Sequence, residues 1–423
     1  MTQERSPLPH RDPVEARLRA VPWESLAGIA PALAAPLAEI LDGAAAERVL
    51  DRFLRAHREL DRGGRRAVAE ALFGVGLWRR RLRWHAGPTA SPLALLAALL
   101  RDLAGRDDAA RLVGLDDSLP PPRGAPAPLA DRWSLPDWLG EALVAAVGPA
   151  EAPALAEALC LPAPVALRAN AARGTREALA GRLRAEGIKT RPGLLAPHAL
   201  LVESERPNLF GAASWRDGRF EVQDEGSQLL GALVGARPGE EVLDLCAGAG
   251  GKTLALAADV APGGRVHATD PDGDRLRRLS DRAARAGTDD VSIHGAAPPV
   301  GLRVDRALVD APCSELGTLR RGPDVRWRLD PAAFAALPAL QLALCEVAAA
   351  RVRPGGRLVY ATCTFRREED EEVALALEAR HPELERIRPE APPSCVTEEG
   401  FLRTWPHRHG CDAFFAAAWR RRT

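Results

Sequence analysis

Two cysteines in the C-terminal half each follow a strand-like apolar run: Cys313 in RALVDAPCSELG and Cys363 in GGRLVYATCTF. An earlier run of the same kind leads into a glycine-rich loop, VLDLCAGAGGKT. Open parallel sheets bind their ligands in the crevice outside the carboxyl ends of the strands. The order of these segments therefore predicts two candidate nucleophiles and a cofactor loop in one crevice.

The glycine-rich loop has the spacing of a cofactor site without a pyrophosphate signature. Its glycines at 248, 250 and 251 allow a ligand to approach the backbone where a helix begins, near Lys252. A P-loop would need a glycine at position 246, which is cysteine here, and a dinucleotide site would need GxGxxG. Asp270 ends the next strand, where a carboxylate can hold ribose hydroxyls. Together these residues favour S-adenosylmethionine as the cofactor, and they leave open whether Asp244 binds it or caps the loop.

A thiol beside a methyl donor suits methylation of cytosine at carbon 5. That carbon is a poor nucleophile until a thiolate adds to carbon 6, and covalent catalysis divides the reaction into easier steps. Asp310 can act on the ring nitrogen, and the second thiol can assist release. The base must leave its stack to reach such a crevice. Four other cysteines lack this context and are predicted to be structural: Cys160, Cys345, Cys395 and Cys411. Cys246 precedes the glycine-rich loop, and a strand residue at that position is predicted to pack.

A basic stretch follows Cys313 directly. Its arginines are predicted to grip phosphates that flank the target base: Arg320, Arg321, Arg326 and Arg328. Trp327, in the same stretch, either offers a stacking face to a base or is buried.

The elements that position these residues follow from the apolar pattern. From Gly239 on, short apolar runs alternate with helical stretches at 252–260, 272–286, 331–352 and 367–380. This alternation predicts an α/β fold with a parallel, doubly wound sheet. Its strands are EVLDLCA, RVHATD, VSIHG, RALVDAP and RLVYATC, with CDAFFAAAWRR as an edge strand.

The preceding half divides into smaller parts. Apolar residues at three- and four-residue spacing predict an all-α bundle, a proline-rich stretch predicts a linker, and a mixed pattern predicts a small α+β subdomain. The predicted ranges are a disordered lead at 1–20, the bundle at 21–115, the linker at 116–130, the subdomain at 131–235 and the catalytic domain at 236–423.

Composition narrows the class of protein. The 423 residues carry a formal net charge of zero, so only local basic clusters argue for nucleic acid. Seven scattered cysteines without a CxxC pair argue against a disulfide framework or a metal site. Neither a signal peptide nor a membrane-spanning run is apparent, which predicts a cytoplasmic protein without a membrane partner.

Four segments, in order and at the family's spacing, resemble the RsmB/NOP/Sun family of RNA cytosine-5 methyltransferases: VLDLCAGAGGKT, TDPDGDRL, DAPCSELGTLRRGPDVRW and GGRLVYATCTFRREEDEEV. VQDEGSQLL resembles the family's entry into its catalytic domain, and the resemblance covers about residues 135–423. The helical N-terminus, with basic stretches at 62–66 and 79–83, is similar to the NusB-like RNA-binding domain of ribosomal-RNA members.

The resemblance implies a Rossmann-like class I methyltransferase sheet that uses S-adenosylmethionine and acts as a monomer on small-subunit ribosomal RNA. It implies that Cys363 is the nucleophile, that Cys313 assists product release and that Asp310 contacts the base as a proton donor. The implied cofactor positions are Cys246, Ala247, Gly248, Ala249, Gly250, Gly251, Lys252, Asp270 and Asp310.

The chain also departs from the family pattern. The loop reads CAGAGGK instead of CAAPGGK, and Ala296 stands near where an acid contacts the adenine. Glu315 replaces a small residue, and Arg367 and Asp370 replace the usual Pro and Asn. Three alternatives therefore stay open: a weakened enzyme acting as an RNA-binding assembly factor, a methyltransferase of another RNA such as tRNA, and a DNA enzyme with Cys313 as nucleophile.

Overall fold

The computed structural model describes residues 13–115, 119–205, 207–322 and 324–423, and the chain forms two compact units. The first comprises Met1–Pro162 with Leu319–Asp330, and the second comprises Ala163–Thr318 with Pro331–Thr423. Of the lead predicted to be disordered, residues 1–12 lie outside the described residues. Pro13–Arg19 is a helix instead, because Val14 and Leu18 are fully buried.

The first unit is helical. Its longest helix begins at an N-cap, where the Asp61 carboxylate accepts a bond of 2.7 Å from the Gly64 amide, and buries a stripe that includes Val68, Leu72, Val75 and Leu82. The helices are α1 (Pro13–Arg19), α2 (Ala34–Leu41), α3 (Ala46–Ala56), α4 (Arg62–Ala86), α5 (Pro92–Ala98), α6 (Ala109–Val113), α7 (Leu129–Arg132) and α8 (Asp137–Ala158).

The predicted linker at 116–130 does not end this unit. The structure does not describe residues 116–118, but α7 and α8 pack with the preceding helices. Trp133 is buried against Trp78, and the Arg80 amide donates to the Ser134 hydroxyl at 3.0 Å. The apolar residues after the proline-rich stretch thus complete the helical core, and the first unit extends to Pro162.

The second unit contains two sheets. The smaller sheet is antiparallel in the order β2-β3-β1-β4, with a core of Leu167, Leu183, Leu200 and Phe220. Its elements are β1 (Ala166–Ala169), α9 (Arg176–Ala185), β2 (Thr190–Pro192), β3 (Ala199–Val202), α10 (Ala213–Arg216) and β4 (Phe220–Val222). A helix, α11 (Glu225–Leu233), leads from it toward the larger sheet.

The larger sheet has the order β10-β12-β9-β8-β5-β6-β7, and β9 to β7 along this order are parallel. The chain moves from β5 outward to β7 and then returns to β8 on the other side, which places the topological switch between β5 and β8. The parallel part comprises β5 (Glu241–Asp244), α12 (Thr253–Val260), β6 (Arg265–Ala268), α13 (Gly273–Ala286), β7 (Val291–Ile293), β8 (Val304–Asp310), α14 (Leu337–Ala349), β9 (Val352–Thr362) and α15 (Glu371–Arg380).

The last strand is not at an edge, contrary to the sequence prediction. It lies antiparallel between β9 and β10 and also pairs with β11. Phe415 and Trp419 enter the core on one face, while Phe414 enters the core on the other, so this strand needs cover on both faces. The elements are β10 (Leu384–Arg386), β11 (Leu402–Thr404), α16 (Pro406–His409) and β12 (Phe414–Arg421).

Among the described residues, one stretch, Pro331–Ala349, is long and apolar enough to cross a membrane by length and composition alone. Its regular part, α14, packs on β8 and β9, where Leu342 and Cys345 are buried in the core of the sheet.

Candidate active site

A cavity of about 730 Å³ opens at the carboxyl ends of the parallel strands of the second unit. This volume is within the range of small-molecule and cofactor sites. The predicted residues that line it are Asp244, Cys246, Ala247, Gly248, Ala249, Gly251, Lys252, Asp270, Asp310, Cys313 and Cys363. The structure therefore brings the two thiols and the glycine-rich loop together, as the order of strands predicts.

Gly250 is the exception among the predicted cofactor residues. It is buried and does not line the cavity; its φ is +86°, and a Cβ there would lie 2.1 Å from a methyl group of Leu279. This glycine permits the loop to pack on α13, and its neighbours Ala249 and Gly251 line the cavity where a ligand would bind.

Asp270 shapes the glycine-rich loop as well as lining the cavity. One of its oxygens accepts a bond of 2.9 Å from the Gly248 amide, and the other accepts a bond of 2.9 Å from the Asp272 amide. Each carboxylate oxygen has a second lone pair, so the side chain can still accept from ligand hydroxyls.

Two arginines that the sequence analysis missed hold the same loop. Arg168, on β1, donates to the Gly251 carbonyl at 2.8 Å, and Arg282, on α13, donates to the Ala249 carbonyl at 2.5 Å. Arg282 is also paired with the buried Glu221. These residues are far from the loop in sequence, so no local pattern signals their contact with it.

Lys252 and Asp310 form an ion pair in the cavity wall, with 2.5 Å between Nζ and a carboxylate oxygen. Burial alone would lower the pKa of Lys252, but the charge of Asp310 and its hydrogen bond raise that pKa above its usual value. Lys252 is thus an ammonium ion that donates a hydrogen bond to Asp310. A nucleobase in the cavity would therefore meet this ion pair and not an isolated carboxylic acid. The role of Asp310 as a proton donor that contacts the base stays a prediction.

Asp244 is fully buried at the floor of the cavity. One oxygen accepts a bond of 2.7 Å from the Thr253 hydroxyl, which fixes the start of α12. Burial raises the pKa of Asp244 to about 7, and the Thr253 bond only partly opposes this. Asp244 therefore titrates near neutral pH, because its charged form is poorly solvated.

The cavity also contains buried acceptors that the described protein atoms leave unsatisfied. Asp244 Oδ1 and Gln223 Oε1 line it and have no hydrogen-bond partner within the described part of the chain. Buried polar atoms are normally paired. S-adenosylmethionine carries an ammonium group, ribose hydroxyls and an adenine amine, so these acceptors and Asp270 fit that cofactor. Gln223 lies in VQDEGSQLL, and the resemblance of that segment to the family is the sequence feature that could have identified Gln223 as a site residue.

The sulfurs of Cys313 and Cys363 lie 3.4 Å apart, and both cysteines are free thiols. The hydrogen bond with Cys313, burial and nearby carboxylates raise the pKa of Cys363 well above the usual value. Glu315 is one of these carboxylates; it lines the same cavity and has a left-handed φ of +58°. A non-glycine residue rarely adopts this conformation, which here places a charged residue beside both thiols.

The neighbouring cysteine, Cys246, has a different environment. Burial raises its pKa strongly, and its side chain packs against the core of the sheet. Cys345 is fully buried in that core, and its pKa is likewise raised by burial. Neither thiol has a partner sulfur comparable to the pair of Cys313 and Cys363.

The segment Leu319–Asp330, which carries the four arginines predicted to contact phosphate, belongs to the first unit. Arg321 and Arg328 are exposed, and their contact with phosphate stays a prediction. Arg326 is fully buried, and its guanidinium donates to the Leu159 carbonyl at 2.8 Å. Arg320 is also buried, and Arg328 pairs with Asp324. Trp327 donates to the Leu77 carbonyl at 3.4 Å and stacks with Arg79. The prediction that Arg326 contacts phosphate is wrong, because its side chain is enclosed by helices.

The matches to family models agree with this geometry. Residues 232–420 match a model described as 16S rRNA methyltransferase RsmB/F, and residues 135–208 match the ferredoxin-like domain of RsmF/B-like methyltransferases. The second match contains the small antiparallel sheet up to β3. Neither of these two matches covers the N-terminal helices, so their similarity to a NusB-like domain stays a prediction.

Similar proteins extend the match over most of the chain. A Thermus thermophilus protein named ribosomal RNA small subunit methyltransferase B is 38% identical over 70% of this chain and 67% of its own. A Synechocystis protein named "Probable ribosomal RNA small subunit methyltransferase B" is 34% identical over 68% of this chain and 67% of its own. The crystal structure of PH0851 covers 95% of this chain and 99% of its own, with a TM-score of 0.76 and 25% identity. The chain therefore belongs to the RsmB/F family, whose methyltransferases use S-adenosylmethionine as the methyl donor.

Proposed function

We propose that this chain methylates carbon 5 of a cytosine in small-subunit ribosomal RNA, with Cys363 as the nucleophile. The observation that carries the proposal is the distance of 3.4 Å between the sulfurs of Cys313 and Cys363 at the cofactor cavity. A nitrogen or oxygen target attacks a methyl donor through its own lone pair and needs no thiol. A carbon target needs covalent activation, which the thiol pair can provide.

In the first step, the sulfur of Cys363 forms a bond to carbon 6 of the base, and its thiol proton passes to solvent. The ring nitrogen gains a proton at the Lys252–Asp310 pair, and the electrons of the carbon 5–carbon 6 double bond become available at carbon 5. Bound S-adenosylmethionine supplies the methyl group that carbon 5 takes. The raised pKa of Cys363 favours the neutral thiol before the base binds, so its attack is coupled to loss of that proton.

In the second step, Cys313, whose own proton has passed to solvent, takes the proton from carbon 5 as a thiolate, and the ring nitrogen returns its proton to the Lys252–Asp310 pair. The electrons of that carbon–hydrogen bond restore the double bond, the bond between carbon 6 and sulfur breaks, and Cys363 leaves as a thiolate. The close contact of the two sulfurs supports this division, since the proton and the leaving group are on adjacent ring carbons.

Ribosomal RNA is the proposed partner because the Thermus and Synechocystis relatives carry that substrate in their names. The target base must leave its stack to enter the cavity, and the volume of about 730 Å³ has room for a base beside the cofactor. An enzyme with this substrate would act in the cytoplasm.

The test is bisulfite mapping of 16S ribosomal RNA from a strain that lacks this gene. One cytosine should lose its protection, and the wild-type gene should restore it, whereas a Cys363→Ala copy should not. An unchanged cytosine map would contradict the ribosomal substrate, and mapping of tRNA and DNA from the same strain would then identify the alternative.

A further inference from the structure

The two thiol loops are joined behind the cavity by direct polar contacts. The Gly317 amide donates to the Cys363 carbonyl at 2.9 Å. The hydroxyls of Ser314 and Thr364, each next to one of the thiols, lie 2.8 Å apart and are buried. The loops therefore hold each other in place, and the distance between the two sulfurs depends on this junction.

Glu369 is the charged centre of the junction. One of its carboxylate oxygens accepts from the Ser314 amide at 2.9 Å and from the Gln341 side chain at 3.0 Å. The same nitrogen of Gln341 donates to the Pro312 carbonyl at 3.0 Å. The other oxygen of Glu369 accepts from Arg366 at 3.3 Å. The carboxylate thus fixes the backbone on both sides of Cys313 from a position that follows Cys363.

The burial of Glu369 needs a reason, because burying a carboxylate costs free energy and ion pairs are a poor source of net stability. Glu369 lies in the acidic run EEDEE, whose composition is typical of a solvated helix face. In the structure Glu369 is fully buried, while Glu372 of the same run is exposed. The buried acid is directed to the thiol loops and away from solvent.

We infer that Glu369 is a positioning residue that holds the thiol of Cys313 where it can take the proton from carbon 5. It touches neither the base nor the cofactor and acts through the backbone of Ser314 and Pro312. This inference rests on the proposed function, since it assigns the junction to the release step. Attack by Cys363 depends on it less, because Cys363 directly follows β9, a strand that is paired on both sides.

The variant Glu369→Gln keeps the volume of the side chain but breaks the junction. All three contacts of the carboxylate are with N–H donors, so the amide nitrogen would face a donor in either orientation. Misplacement of a reacting group by about 1 Å can cost about 100-fold in rate. Release should slow more than attack, and a covalent protein–RNA adduct should accumulate.

The experiment uses the full chain, labelled S-adenosylmethionine and 16S ribosomal RNA from a strain without the gene. The adduct is read on a denaturing gel and turnover is measured in parallel. With Glu369→Gln, turnover should fall about tenfold and the adduct should rise about tenfold, as expected for slowed release. Glu372→Gln is the matched control and should change neither quantity by more than about twofold.

Cys313→Ala separates the two proposals. If it yields no adduct, the proposed covalent function fails. If it accumulates adduct while Glu369→Gln loses turnover without adduct, the role of Glu369 is only structural and the inference is overturned. Gln341→Met, which removes the side-chain bonds of Gln341 to Glu369 and to the Pro312 carbonyl, covers the case in which Glu369→Gln does not fold. It should raise the adduct about threefold, and an unchanged adduct would also overturn the inference.

Discussion

Two consecutive stretches of this chain, residues 310–318 and Leu319–Asp330, show opposite relations between residue type and environment. The first, the thiol segment, exposes reactive groups to a cavity at the end of β8. The second, the arginine segment, has the composition of a nucleic-acid contact but places Arg326 and Asp324 inside the helical unit. A charged residue in a sequence therefore indicates a surface position only when no neighbouring helix or strand encloses its side chain.

The comparison extends to the basic stretch at 79–83. Arg79 donates to the Leu41 and Ile40 carbonyls at 3.1 and 3.0 Å, which satisfies the C-terminal end of α2. Arg80 pairs with Asp131 and Asp137. Arg81 is buried and pairs with Glu15. Three of the four arginines of this stretch therefore make contacts within the first unit, which weakens the prediction that the stretch binds RNA.

The largest effect should come from the thiol segment and its partner. Cys363→Ala should lower methyl transfer by at least about 1,000-fold and abolish the covalent adduct, because it removes the proposed nucleophile that activates carbon 5. Cys313→Ala should also stop turnover but should still form the adduct. Full activity of Cys363→Ala with loss of attack in Cys313→Ala would instead assign the nucleophile to Cys313.

The arginine segment should respond in stability. Arg326→Met should destabilise the first unit by about 3 kcal/mol, because it leaves the buried Leu159 carbonyl without its donor. Arg328→Ala, at the partly exposed position beside it, should change stability by less than about 0.5 kcal/mol. Urea unfolding measures both. If Arg326→Met keeps full stability but lowers the salt dependence of RNA binding, Arg326 contacts phosphate after all.

The two lysines of the chain allow a matched comparison of a cavity position with a surface position. Lys252→Arg should lower kcat/KM about 30-fold, because a larger planar guanidinium replaces a buried point charge that contacts Asp310. Lys189→Arg changes an exposed side chain and should leave kcat/KM within about twofold. Equal kinetics of the two variants would remove Lys252 from the site.

The last prediction concerns the pH dependence of folding stability. Asp244 has a pKa of about 7 in the folded chain, above the unfolded value of 3.8, because of burial. Its contribution to stability is therefore present below pH 3.8 and is lost as pH rises toward 7, at up to about 1.4 kcal/mol per pH unit. Asp244→Asn should lack this part of the pH dependence. Parallel stability curves for the two proteins between pH 4 and pH 7 would show that Asp244 is ionised in the folded state.

The sequence predicts the catalytic sheet well because its signals are local. Each parallel strand is a short apolar run bounded by Gly, Pro or Asp, and the residues after such a run fall at the same edge of the sheet. The cavity at that edge contains Cys313, Cys363, Lys252 and Asp270 together. The position of β12 was predicted wrongly, because an apolar strand has the same sequence pattern whether it is paired on one side or on both.

The buried charges were missed for a different reason. Glu369 and Glu372 have the same side chain three residues apart, and only the fold decides that the first is enclosed and the second is solvated. Arg168 and Arg282 reach the glycine-rich loop from other elements, and the sequence contains no periodicity that links them to it.

The sequence by itself determined the alternation of parallel strands and helices along the chain, the identity of the thiols and the glycine-rich loop, because apolar periodicity and turn residues act over a few neighbouring positions. Only the tertiary structure decided which thiol contacts which, which carboxylates are buried and where the arginine segment packs. Those outcomes depend on contacts between residues distant in the chain, such as Arg326 with Leu159 or Ser314 with Glu369. Their energies depend on desolvation, which exists only when the surrounding elements are in place.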